Sequence, residues 1–298
     1  MMKRIDLHMH SVYSDDADFP VSDLLTMAKA ANLAVLAITD HNSARSVEEA
    51  IHYGNENAVR VMMGIEIDCS FAGNNYHLLG YGFRRDCRDF DVVEQNFHHL
   101  ESVATPLKLA KLRALGFQLD VDRLYALAGD RVPQEEQMAE LILEDARNAN
   151  HELLLPYRAG NSRSDMPLIN FFWDFFGRDK PCHVKVELPP MAEMASMIID
   201  NGGISVIAHI GANVKEKPLS VIEQMLPLGV QGVEVFSSYH DEALRRELYQ
   251  FTLDKALLAT SGSDFHGKNK PNIKMGSSQP WAAALPKTLE ILERVTLY

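Results

Sequence analysis

The stretch RIDLHMHSVYSDD, Arg4–Asp16, decides how this chain is read. In an extended strand, residues i and i+2 point to the same face, so Asp6, His8 and His10 share one side. The strand then runs straight into two more carboxylates, Asp15 and Asp16. A lone His-x-His pair arises often by chance. The pair gains meaning because the same residue types recur where other apolar runs end.

Working outward, "ITDH" closes a second apolar run with Asp40 and His41. "GIEID" offers Glu66 and Asp68, and "YHLLGY" offers His77. "IAHIG" ends another run with His209, and "SGSDFHG" ends the last with Asp264 and His266. Between these runs lie segments with helical spacing of apolar residues, such as "VSDLLTMAKAANL" and "SARSVEEAIHYGNEN". Strands alternating with helices predict parallel β/α units, whose functional groups gather at the carboxyl ends of the strands. Imidazole mixed with carboxylate suits zinc, manganese or iron. One catalytic zinc takes three protein ligands, so this many candidates predicts two or three ions. Such clusters lower the pKa of a bound water and clamp the oxygens of a phosphoryl group.

The β/α rhythm breaks at about residue 86. "LKLAKLRALGF", "VDRLYALAG" and "EEQMAELILEDARNA" read as helices with no strand between them, followed by an aromatic-rich, Gly- and Pro-containing stretch to about 181. Residues 86–181 therefore read as an inserted, mostly helical cap, and 1–85 with 182–298 as the main body. There "CHVKVE", "ISVIAHIG", "VQGVEVFSS" and "LLATSGSDFHG" read as strands. The 298 residues carry a formal charge of −12, which disfavours binding of duplex nucleic acid. A phosphorylated substrate remains compatible, because divalent ions would make the pocket locally positive. No apolar run approaches a membrane span, and the N-terminus does not read as a signal peptide. Cys69, Cys87 and Cys182 lack metal-site or redox spacing and fit a reducing, cytoplasmic setting.

With these residues in place, the chain resembles the PHP (polymerase and histidinol phosphatase) family. "DLHMHSVYSDD", "ITDHNS", "GIEID", "HLLGY", "AHIG" and "SGSDFHG" stand in that family's motif order across residues 3–82 and about 183–276. The resemblance implies a distorted (β/α)7 TIM-like barrel holding up to three divalent Mn, Fe or Zn ions. By matching motif, His8, His10, Glu66 and Asp264 would hold one ion. Glu66 would bridge to a second with His77 and His209, and Asp15, His41 and His266 would hold the third. Asp6 and Asp40 would orient imidazoles from behind. The chain departs from the family by Asp16 in place of the usual Gly after Asp15, and by Ile210 in place of Pro after His209.

The resemblance further implies a stand-alone phosphoesterase in which a metal-bridging hydroxide attacks phosphorus. The expected substrate is a small phosphomonoester, either a nucleoside 5′-monophosphate, a 3′,5′-bisphosphate or a short oligonucleotide. Histidinol-phosphate phosphatase and metal-dependent amidohydrolase are the rival readings. Glu66, Asp264 and His240 are the expected catalytic residues, the first two as metal ligands. Arg158 and Arg163, in "YRAGNSRSDMP", are expected to bind substrate phosphate, because guanidinium matches phosphate oxygens. The aromatics of "INFFWDFFG" read as the core of the cap.

Overall fold

A computed structural model describes residues 4–129 and 131–298. Strands β1 (Arg4–Asp6), β2 (Leu33–Leu36) and β3 (Arg60–Val61) form a parallel sheet in that order. Helices α1 (Val21–Ala30) and α2 (Val47–Asn57) connect them. In α1 the buried residues Val21, Leu24, Leu25 and Ala28 recur at i, i+3, i+4 and i+7, the spacing that gives a helix one apolar stripe. Full burial of a Val or Leu contributes about 1.5–3 kcal/mol.

A second sheet follows the order β4 (Gly64–Phe71), β5 (Asn74–Tyr81), β6 (Ile204–Ile207), β7 (Gly232–Phe236), β8 (Leu258–Ser261). β4 and β5 form an antiparallel hairpin, β5 and β6 are also antiparallel, and β6, β7 and β8 are parallel. The hairpin turns through Ala72 and Gly73, both at positive φ, as a two-residue type I′ turn requires.

The expected single seven-stranded barrel is not what forms. The described residues hold eight strands in two sheets, because the β4–β5 hairpin replaces one β/α unit and reverses chain direction. The sheet edges nevertheless meet. Leu7 N–H donates to Ser261 O at 2.9 Å and Asp264 N–H to His8 O at 2.8 Å, while on the other side Glu66 N–H donates to Asp40 O at 3.1 Å. These seams contain isolated bridges, Met9–Phe265 and His41–Glu66, instead of ladders. The strands stop where their polar side chains turn inward. Gly262 permits one of these approaches, since a Cβ there would overlap the His8 side chain. Inside lie Ile5, Leu7, Val35, Ala37, Met62, Leu79, Val206 and Leu258.

"CHVKVE" is a second correction. Its residues form no strand, and just beyond them Ser70 of β4 holds the chain, with its N–H donating to Pro189 O at 2.8 Å and its hydroxyl to Leu188 O at 3.1 Å. The prolines at 189 and 190 lack the donors a ladder needs. Beyond them α7 (Met191–Asp200) covers the sheet with Met191, Met194, Ala195 and Ile198. Helices α8 (Ile210–Asn213), α9 (Pro218–Met225), α10 (Glu242–Asp254) and α11 (Leu285–Leu289) complete this body.

Between residues 86 and 181 lie the helices α3 (Asp89–Ala114), α4 (Val121–Ala128), α5 (Glu135–Glu144) and α6 (Pro167–Phe171). In chain order these four helices precede α7. Leu109, Leu112, Phe117, Tyr157, Phe171, Phe175 and Phe176 form a core separate from that of the sheets. The two cores exchange within one helix, since Phe90 and Val93 of α3 pack on the main body. Among the described residues no helix is long and apolar enough to cross a membrane. The three cysteines are free.

Candidate metal centre

The hairpin sets the centre. Asp68 pairs directly with His77 across β4 and β5, and Glu66 shares the Asp68 face because strand side chains alternate. Loops after β1, β2, β6 and β8 bring His8 and His10, His41, His209, and Asp264 and His266 to the same place. Glu66 is fully buried in the middle. Its Oε2 lies 3.0 Å from His8 Nε2 and 3.1 Å from His10 Nε2, and its Oε1 lies 2.9 Å from His77 Nδ1 and 3.0 Å from His209 Nε2. Asp264 Oδ1 stands 3.2 Å from both His8 Nε2 and His10 Nε2. Asp264 has φ +59°, a left-handed conformation that Asp tolerates better than most residues.

Three imidazoles are held from behind, so their tautomers follow from their partners. His8 Nδ1–H donates to Glu234 Oε1 at 3.0 Å, His10 Nδ1–H to Ser14 Oγ at 2.9 Å, and His266 Nδ1–H to the Asp264 carbonyl at 3.0 Å. Each therefore turns its Nε2 inward. Burial, reinforced by His266 and His41, lowers His10 to about 4, which keeps its ring neutral. Burial alone would push Glu66 up, but His8, His41 and His77 hold it well below the usual carboxylate range.

Three donor groups lie close enough to share ions: His8, Glu66, His209 and Asp264; His41, Glu66 and His77; and His10, Asp16, His41 and His266. His10 Nε2, His266 Nε2, Asp16 Oδ1, Asp68 Oδ1 and Asp264 Oδ1 are buried without a hydrogen-bond partner. Buried polar atoms are rarely left so. Facing one another in a mixed nitrogen and oxygen set, they fit divalent transition ions.

Several expected residues stand elsewhere. Asp16, not Asp15, faces His266, with Oδ2 3.1 Å from Nε2. Asp15 instead meets Gln134 Nε2 of the cap at 3.4 Å. His240 is not free for proton transfer, because Nδ1–H donates to Val235 O and Nε2 accepts from Gly211 N–H, both at 3.0 Å. Arg158 donates to the carbonyls of Leu143 and Asn148 inside the cap, and Arg163 pairs with Asp174. Neither guanidinium is brought to the metal centre by these contacts. Asp6 binds Ser263 and the Gly276 N–H instead of an imidazole. Asp40 reaches His10 only through Ser14.

Sequence reasoning missed Asp16, Ser14, Glu234 and the cap residue Arg131. Arg131 donates to the carbonyls of Val12 and Ser14, at 3.4 and 3.1 Å. Glu234 had a legible signal, as the single charge within the buried strand "GVEVF". The others lie in loops without such a signal.

Residues 6–152 match the PHP domain model. The first half of the chain thus resembles a PHP domain. The match stops at residue 152, and the structure adds His209, Glu234, Asp264 and His266 from outside it to the same cluster of side chains. The chain is 24% identical over 267 residues to a phosphoribosyl 1,2-cyclic phosphate 1,2-diphosphodiesterase from Eggerthella lenta, covering 88% of this chain and 94% of that protein. It is 26% identical over 288 residues to a 3′,5′-nucleoside bisphosphate phosphatase from Chromobacterium violaceum, covering 93% and 92%. In fold it matches a crystal structure from Bifidobacterium adolescentis, assigned to the metal-dependent phosphoesterases, with TM-score 0.77, 20% identity and coverage of 99% and 98%.

Proposed function

We propose that this protein is a metal-dependent phosphoesterase that hydrolyses a small phosphomonoester, with a nucleotide as substrate. The observation that carries the reading is the clustering of three donor groups around one buried carboxylate, Glu66, which belongs to two of them and faces His10 and His41 of the third, with imidazole Nε2 atoms already turned inward. Two relatives spanning most of the chain are named for acting on phosphate esters of ribose-containing or nucleoside compounds.

His8, His10, Glu66, His209 and Asp264 would hold ions on one side, with His41 and His77 joining Glu66, and Asp16 and His266 completing the other side. Two or three divalent ions there would supply water of lowered pKa and neutralise phosphoryl oxygens. The chain does the rest. Glu234, Ser14 and the Asp264 carbonyl keep the rings from turning. Arg131 enters from the cap with one nitrogen on the loop carbonyls, leaving further guanidinium donors for a phosphate.

A proton for the leaving alkoxide needs a source other than His240. Glu136 of α5 is buried, and burial, with Asp16 and Glu135 near, pushes it up to about 8. Flanking residues tie its helix to the loops beside the centre, which supports this role: Gln134 meets Asp15, and Glu140 meets Lys268. Glu136 thus carries a proton at neutral pH and is the cap group assigned to donate it.

The test is turnover by protein purified without chelator and loaded with Mn²⁺, Fe²⁺ or Zn²⁺. The panel is AMP, adenosine 3′,5′-bisphosphate, short RNA and histidinol phosphate, with His10→Ala as control. Phosphate release from a nucleotide, lost in the variant, is the expected result. Preference for histidinol phosphate would move the substrate, and no cleavage by fully loaded protein would overturn the phosphoesterase reading.

A further inference from the structure

Lys270 lies four residues beyond His266 on the loop after β8, and its side chain is 14% exposed. Its Nζ stands 2.6 Å from Asp264 Oδ2, while Asp264 Oδ1 faces His8 and His10. The two oxygens of one carboxylate therefore serve opposite sides. The ammonium also lies 5.4 Å from the centre of the Tyr239 ring.

Lysine is rarely so little exposed, and an ammonium has three donors, of which Asp264 engages one and the Tyr239 side chain stands beside another, leaving at least one free. Asp264 does not need the lysine to stay in place. Its N–H already donates to His8 O, and its carbonyl accepts from His266 Nδ1. A cation so little exposed, beside groups that gather divalent cations, repels those ions. Such a charge is useful there only if an anion arrives to meet it.

The loop that carries Lys270 is bolted down before any ligand binds. Lys268 N–H donates to Asp18 Oδ1 at 3.2 Å, Asn269 Nδ2 donates to the Asp16 carbonyl, and His266 Nε2 lies 3.1 Å from Asp16 Oδ2. Gly267 has φ +66°, and a Cβ there would overlap Asp18 and Phe19. A cation on so fixed a loop loses little entropy on meeting its ligand.

We propose that Lys270 is a phosphate-binding residue of this centre, its free donors taking a phosphoryl oxygen while its ion pair keeps Asp264 Oδ2 out of metal ligation. The assignment rests on the phosphoesterase reading for its ligand but is tested separately. Inorganic phosphate is titrated calorimetrically into Mn²⁺-loaded wild type, Lys270→Met, Lys270→Gln and Lys270→Arg, with bound metal counted by elemental analysis. Lys270→Gln keeps a hydrogen bond for Asp264 should the methionine variant fail to fold.

We expect unchanged metal content, phosphate binding at least about tenfold weaker in the neutral variants, and partial recovery with arginine. In turnover, KM should rise more than kcat falls. Equal phosphate affinity in wild type and Lys270→Gln would overturn the proposal. So would loss of metal in step with loss of phosphate, which would confine Lys270 to Asp264, or failure of the wild type to bind phosphate. Lysine-dependent phosphate binding without hydrolysis of any ester would sink the phosphoesterase reading and leave Lys270 standing. Hydrolysis with lysine-independent phosphate binding would do the reverse.

Discussion

Replacing Ser14 by alanine tests whether the imidazoles are set before metal arrives. Ser14 Oγ accepts from His10 Nδ1–H at 2.9 Å and from His41 N–H at 2.8 Å, and donates to Asp40 Oδ1 at 3.2 Å. Asp40 would keep the Ser11 N–H at 2.7 Å and its hydroxyl at 2.9 Å, so its loss is small. His10 Nδ1–H and His41 N–H would each be left without a partner. A buried donor left unmade costs about 1–3 kcal/mol, so the pair predicts about 2–6 kcal/mol of lost stability. The space of one missing oxygen is smaller than a water's share of liquid volume, about 30 Å³, so solvent does not restore both bonds. Freed to rotate, His10 should bind metal about 10–100-fold more weakly. Urea unfolding of metal-free protein reads the first quantity, and chelator competition for Mn²⁺ or Zn²⁺ reads the second. Unchanged metal affinity would refute the idea that Ser14 sets the ligand, even if stability fell.

Asp16→Asn should lose one bound ion per chain while Asp15→Asn keeps it, because Asp16 faces His266 and Asp15 faces the cap; elemental analysis after gel filtration decides, and the opposite pattern would return the role to Asp15. For Glu136, the folded pKa of about 8 lies above the ordinary 4.5, so the folded chain holds more protons than the unfolded one between those values, and stability falls as pH rises through that window. Each unit is worth about 1.4 kcal/mol; Glu136→Gln should flatten the fall in metal-free protein, with Asp16, Glu135 and Lys270 the charges around it, and an unchanged pH slope would count against a protonated Glu136. Lys108 of α3 is buried between Glu101, at 2.5 Å, and Glu135 of α5, at 2.6 Å. Lys108→Met should cost about 3–5 kcal/mol in urea unfolding, since it strands the buried Glu101 carboxylate and the partly exposed Glu135, and a change under about 1 kcal/mol would show that the triad is not stabilising.

The sequence made the centre legible wherever secondary structure fixes direction. Glu66, Asp68 and His77 sit on one hairpin, where strict alternation settles the face of each side chain. His41, His209 and His266 follow strand ends, and the strands deliver them together. The cap was legible as helices and as an aromatic core, because those follow from local spacing. Its partners were not. Arg158 and Arg163 looked like phosphate ligands by residue type, yet type does not say whether a guanidinium meets a substrate or the nearest carbonyl and carboxylate. The division into two sheets was equally hidden, since it follows from a hairpin reversing direction in mid-body, and the strand residues themselves show nothing of this.

Asp15 and Asp16 show where the limit lies. In a strand, a shift of one residue sends the side chain to the opposite face, and the pattern of neighbours reports it. Residues 11–19 are a loop, and their side-chain directions are set by distant bonds: Asn269 on the Asp16 carbonyl, Lys268 on Asp18, and Arg131 on the Val12 and Ser14 carbonyls. Those partners come from the end of the main body and from the cap, so no local reading of "SVYSDD" could choose between adjacent aspartates. The same bonds make the choice firm once the chain has folded, because moving Asp15 inward would break the contacts that also hold the Lys270 loop. The facing of Asp16 to His266 and the placement of Lys270 are therefore one structural fact, and a variant that freed the loop, such as Asn269→Ala, should disturb both together.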